Sequence, residues 1–119
     1  MNRIVFLVSV AGILGLVSAC GGADVSPETG QNLAVIKGYA TCHAVDDTPK
    51  IGPTWVGLYG SQVELEDSSF VTADEAYLIE SIKDPNAKIV SGFSKGSMPT
   101  VSLTEDEVNA LVAYIKGVK

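Results

Sequence analysis

Two stretches of this chain, residues 44–71 and 86–103, carry no sustained apolar period, and they limit its fold more than any helix does. Pro49, Gly52-Pro53, Gly57 and Gly60 punctuate the first stretch, and such residues break helices and set turns. Within it, Gln62-Val63-Glu64-Leu65 alternates as a strand does, and Glu66-Asp67-Ser68-Ser69 reads as the turn of a small hairpin. Three helical patterns frame these loops. The first has Ser26 as N-cap, Pro27 at the first helical position, Glu28 in the first turn, Leu33 and Ile36 as apolar residues, and Gly38 as its stop. The second opens on Thr72 with Glu75 three residues on as a capping box, carries Leu78 and Ile82 on one face, and closes before Pro85. In the third, Thr104 and Glu107 make another capping box, with Leu103 and Val108 placed as a hydrophobic staple. Its apolar residues Val108, Leu111, Val112 and Ile115 follow the i, i+3, i+4, i+7 spacing of one helix face. The expectation is an all-α domain over residues 26–119, with three main helices and long loops.

The first nineteen residues do not belong to that domain. Met1-Asn2-Arg3 bears one positive charge and Ile4 to Ala19 bears none; the apolar run suits an export signal and is short for a membrane span. Val17-Ser18-Ala19-Cys20 resembles a bacterial lipobox, in which the cysteine is lipidated and becomes the new N-terminus. Residues 20–25 then form a short tether. Several acyl chains on Cys20 would hold the domain at a membrane far better than one chain could. The expected place is the cell envelope, on the periplasmic or extracytoplasmic side of a membrane, an oxidising compartment.

Loss of Arg3 with the signal leaves seven lysines against fourteen acidic residues, a charge near −7. That argues against nucleic acid or an anionic membrane surface as a docking partner and favours a partner with a basic patch.

A domain this small, with so much loop, commonly leans on a disulfide, a metal or a cofactor. With Cys20 carrying lipid, Cys42 has no partner for an intrachain disulfide. Long loops in a compact domain usually wrap something, and a buried planar cofactor would meet both needs.

Cys42-His43 directs attention to one such cofactor. Haem attachment in c-type proteins uses Cys-x-x-Cys-His: two thiols add to the haem vinyl groups and the histidine binds iron. Here the run is Tyr39-Ala40-Thr41-Cys42-His43, with tyrosine at the first cysteine position and the only histidine of the chain in place. Met98-Pro99 lies on the later loop and offers a thioether.

Taken in order, these motifs resemble class I cytochromes c, and in particular the cytochrome c domain of bacterial cytochrome c oxidase subunit II. The likeness runs from Gly30-Gln31-Asn32-Leu33 and Gly38, through Gly52-Pro53-Thr54-Trp55-Val56-Gly57-Leu58-Tyr59-Gly60, to Asp84-Pro85-Asn86-Ala87-Lys88-Ile89, Ser97-Met98-Pro99 and Leu111-Val112-Ala113-Tyr114-Ile115-Lys116. It implies a small class I cytochrome c fold, with three main helices and long loops around a haem. His43 would be the proximal iron ligand and Met98 the distal one, and Cys42 would form the surviving thioether of a haem c. The Pro53 carbonyl would orient the imidazole, while Trp55, Leu58 and Tyr59 line the haem pocket, with Phe93 a weaker candidate. Tyr39 leaves three outcomes open: haem on one covalent bond, haem held by His43 and Met98 alone, or a fold that has lost it.

The function implied is single-electron transfer rather than catalysis, to or from a redox partner protein such as a terminal oxidase or a quinol-oxidising complex. No convergent acid/base pair is visible. The alternative is a haem-free lipoprotein that uses the same fold as a protein-interaction module, and Tyr39 is the residue that favours it.

Overall fold

The computed structural model describes residues 21–119; Cys20 and the residues before it, with the signal and lipidation expected there, lie outside them. Chain order gives α1 (Pro27–Ile36), α2 (Tyr39–Cys42), β1 (Gln62–Glu64), β2 (Phe70–Thr72), α3 (Glu75–Lys83) and α4 (Glu105–Gly117). The three expected helices are α1, α3 and α4. The single turn α2 is additional; it contains Cys42 and has His43 as its C-cap.

Local chemistry explains the helix starts. The Ser26 hydroxyl accepts from the Thr29 N–H, and the Asp24 carboxylate accepts from both the Ser26 and the Thr29 hydroxyls at 2.8 Å, satisfying donors that a helix N-terminus leaves free. At α4 the capping box is complete: the Glu107 N–H donates to the Thr104 hydroxyl and the Thr104 N–H donates to the Glu107 carboxylate at 2.8 Å. The α3 start differs from expectation. Asp74 is its N-cap, accepting from the Tyr77 N–H at 2.8 Å, because Thr72 is taken up by β2, where it pairs with Gln62. β1 and β2 form the expected small hairpin, antiparallel with Val63 opposite Val71. A further bridge from Leu65 to Val90 ties the hairpin to the chain beyond α3.

The core lies where α1, α3 and α4 meet, filled by Leu33, Ala34, Leu78, Ile82, Val108, Leu111, Val112 and Ile115. Gly30 lets α1 and α4 approach: a Cβ there would stand 2.0 Å from the Ala110 carbonyl oxygen and 2.7 Å from the Tyr114 Cβ. No larger residue fits without moving a helix. Lys83–Glu105 and Lys116–Glu75 join α3 to α4 at 2.6 and 2.8 Å; solvent screens exposed pairs of this kind and they contribute little, so apolar burial sets the helix arrangement. Among the described residues no helix is long and apolar enough to cross a membrane.

Candidate functional site

The helices and both long loops enclose a cavity of about 620 Å³, a size typical of cofactor sites, which run from about 300 to 1,000 Å³. Its wall is mostly apolar, with Trp55, Leu58, Val63, Leu78, Ile82, Ile89, Val101 and Ile115 among the lining residues. Cys42, His43, Pro53, Phe93 and Met98 line it too. Residues far apart in sequence thus converge on one space.

One wall is built around His43. The α2 turn presents it, with the His43 N–H donating to the Tyr39 carbonyl at 2.9 Å. The chain then doubles back: the Gly52 N–H donates to the Cys42 carbonyl at 2.7 Å and the Trp55 N–H to the Ala44 carbonyl at 2.9 Å. This return brings the Pro53 carbonyl oxygen to 2.7 Å from His43 Nδ1. It also brings Gly52 so near the imidazole that a Cβ would lie 2.8 Å from Cε1 and 3.0 Å from Nδ1.

Burial, the largest influence, pushes the His43 pKa down; the Pro53 hydrogen bond opposes it and the Lys50 charge adds to it. The ring, 8% exposed, is therefore neutral near pH 7. With its one proton on Nδ1 and donated to Pro53, Nε2 carries a free lone pair, the state a metal-binding imidazole needs.

Tyr39 is 5% exposed and lines the same cavity. Its hydroxyl has no hydrogen-bond partner among the described residues, and burial, then the Glu107 charge, pushes its pKa up. Among the described residues Cys42 is a free, half-buried thiol. Met98 is partly buried and packs against the core cluster.

Tyr59 is the one expected lining residue that the structure does not bring to the cavity. Its neighbour Leu58 takes the inward place, and Tyr59 stays 40% exposed, its ring 4.9 Å beneath the Lys116 ammonium. A cation over an aromatic face is favourable in water, which gives the outward orientation its own support. Gly52 went unrecognised as a site residue; the Gly52-Pro53 dipeptide signals a turn, and only the return of the chain shows that the glycine makes room for an imidazole.

These residues fit a planar, largely apolar, iron-bearing group. The volume is adequate, the wall is apolar, and a neutral imidazole and a thioether share the space. No group of three or more His, Cys, Asp or Glu able to hold a metal occurs among the described residues.

Comparison with known proteins agrees. The profile of the cytochrome c family matches residues 28–119. No curated protein sequence matches the chain. Among solved structures, cytochrome cH from Methylobacterium extorquens superposes with a TM-score of 0.57 at 23% identity, over 76% of this chain and 97% of that one; at that identity the likeness speaks for the fold.

Proposed function

The chain belongs to the cytochrome c family and has its class I fold, and we propose that it is a membrane-tethered electron carrier in which His43 and Met98 ligate the iron of one haem c. Family membership itself implies an electron-transfer protein with covalently bound haem. The finer reading rests on one observation above others: His43, its Nδ1 proton committed to Pro53 at 2.7 Å, shares a cavity with Met98 and Cys42.

When bound, the haem supplies the one-electron couple of its iron. The chain's own residues do the rest. His43 offers Nε2 to the metal, and Pro53 keeps that nitrogen unprotonated while raising the basicity of the ring. Met98 offers a soft sulfur, and a His/Met pair raises the potential and leaves no open position for substrate. Leu78, Ile82 and Ile115 give the site an apolar wall. Cys42 carries the single thioether, Tyr39 being unable to form a second.

Residues 1–19 are the signal, 20–25 the tether with its lipid on Cys20, and 26–119 the cytochrome domain. An exported acidic carrier of this type serves a respiratory partner, a terminal oxidase or a quinol-oxidising complex, through a basic patch on that partner.

The test is a pyridine haemochrome spectrum with acid–acetone extraction, on protein from a host that matures c-type cytochromes. A haem that resists extraction, with its α band displaced from that of a two-bond cytochrome, is expected. An extractable haem would overturn the thioether at Cys42 and leave the iron ligands standing. Folded protein without haem would overturn the carrier and leave the alternative that Tyr39 favours, a cytochrome fold used as an interaction module.

A further inference from the structure

In a Cys-x-x-Cys-His run, two covalent bonds hold the attachment turn and its histidine in place. Here α2 offers one thiol. The side chain at the other position, Tyr39, is buried, and its ring lies against Trp55 with centroids 6.3 Å apart and planes tilted by 36°. Trp55, 4% exposed, stacks on the His43 imidazole at 5.0 Å with an interplanar angle of 11°. Tyr114 of α4 braces the indole edge-on at 6.1 Å and 85°.

The stack removes a freedom that the hydrogen bond leaves. Pro53 fixes where Nδ1 sits, but a single bond to one ring atom still allows the ring to tilt about it. A parallel aromatic face opposes that tilt, because tilting separates the two rings and forfeits their contact. The Gly52 backbone lies close beside the Cε1 edge. Position and tilt of the imidazole are then both determined before any metal binds.

Resting on His43 as the proximal ligand, we propose that the aromatic column Tyr39–Trp55–His43 does without a covalent bond what the first thioether does in two-cysteine relatives. Trp55 is a positioning residue that sets the plane of the imidazole, and Tyr39 supports it through the contact of their rings. The ring of Tyr39 makes this contribution and its hydroxyl does not, since that hydroxyl is buried and has no partner among the described residues. Tyrosine at position 39 is thereby a compensated loss of cysteine rather than a damaged motif.

The experiment reads haem-methyl shifts in the paramagnetic NMR spectrum of the ferric protein, a pattern that responds to the orientation of the imidazole as well as of the thioether on the iron. Trp55→Phe and Tyr39→Phe keep the column and should keep the wild-type pattern. Trp55→Leu should shift and broaden it, and Tyr39→Leu should do so in the same direction and to a smaller extent. In a Tyr39→Cys background, where a second thioether can form, the effect of Trp55→Leu should shrink. A cycle of Tyr39→Leu and Trp55→Leu should show coupling in the unfolding constant of about 2- to 10-fold, the range of a buried aromatic pair.

An unchanged pattern in Trp55→Leu overturns the proposal. So does a Tyr39→Phe effect as large as that of Tyr39→Leu, which would assign the role to the hydroxyl. An undiminished effect of Trp55→Leu in the Tyr39→Cys background overturns the compensation. If Trp55→Leu does not fold, Tyr39→Leu alone decides, a shifted pattern supporting the column and an unchanged one refuting it. Wild-type protein without haem brings down the carrier and this inference together, whereas wild-type protein with haem and an unresponsive pattern brings down only the inference.

Discussion

The two walls of the cavity that carry His43 and Met98 are built to different standards. The His43 side is buried, and the chain around it is tied by the bonds from Gly52 to Cys42 and from Trp55 to Ala44, the Pro53 contact and an aromatic stack. The Met98 side is a largely exposed loop. Among the described residues, the hydrogen bonds within 92–103 reach no further than three positions, apart from one: the Gly96 N–H donates to Asn86 Oδ1 at 2.8 Å. Segments with exposed backbone and few buried contacts open at lower free energy than the core does. The comparison teaches that His43 is held by tertiary packing, whereas Met98 lies on a segment, 92–103, that has one distant hydrogen-bond tie among the described residues.

Breaking the rigid wall should have the largest effect. His43→Ala is expected to reduce haem content to background in the purified domain, since the chain has no second imidazole; retained haem with an unchanged spectrum would refute the proximal assignment. Gly52→Ala comes next. The new methyl meets the imidazole at 2.8 Å, an overpacking that costs about 1–3 kcal/mol, so both thermal stability and haem loading should fall. If loading holds while stability alone falls, the glycine serves the turn and not the ring.

Changes on the loop side should be milder in kind. Met98→Ala should leave the haem attached, lower its potential, and admit added imidazole to the ferric iron. Haem loss as complete as in His43→Ala would erase the asymmetry between the walls. The smallest effect belongs to Asn86. Asn86→Leu removes the tie to Gly96, and a net hydrogen bond corresponds to about 2- to 10-fold in an opening equilibrium. Hydrogen exchange at the Gly96 amide should quicken by that factor and stay near wild type in Asn86→Asp, which keeps the acceptor oxygen. Equal exchange in all three would show that Met98 packing, rather than Asn86, holds the loop.

Features that depend on near neighbours were readable in advance. The α4 start follows from Thr104 and Glu107 because both halves of that capping box lie within one turn of the chain. The hairpin follows from the alternation at 62–65 and the polar turn after it. The α3 cap was misplaced for a non-local reason. Thr72 and Asp74 both offer a capping oxygen, and the choice between them fell to a strand partner, Gln62, ten residues earlier. Leu58 and Tyr59 show the same limit: adjacent in the chain, one faces the cavity and the other lies under Lys116, on a helix far along the sequence.

By itself, then, the sequence determined the three longer helices and the caps at Ser26 and Thr104, because periodicity and capping are properties of short windows. Only the tertiary structure decided how those residues stand to one another: that Gly52 makes room for the imidazole, that Trp55 covers its face, that Tyr39 backs Trp55, and that Tyr59 turns away. Each of these depends on where a distant segment comes to rest, and close packing of the whole core sets that position.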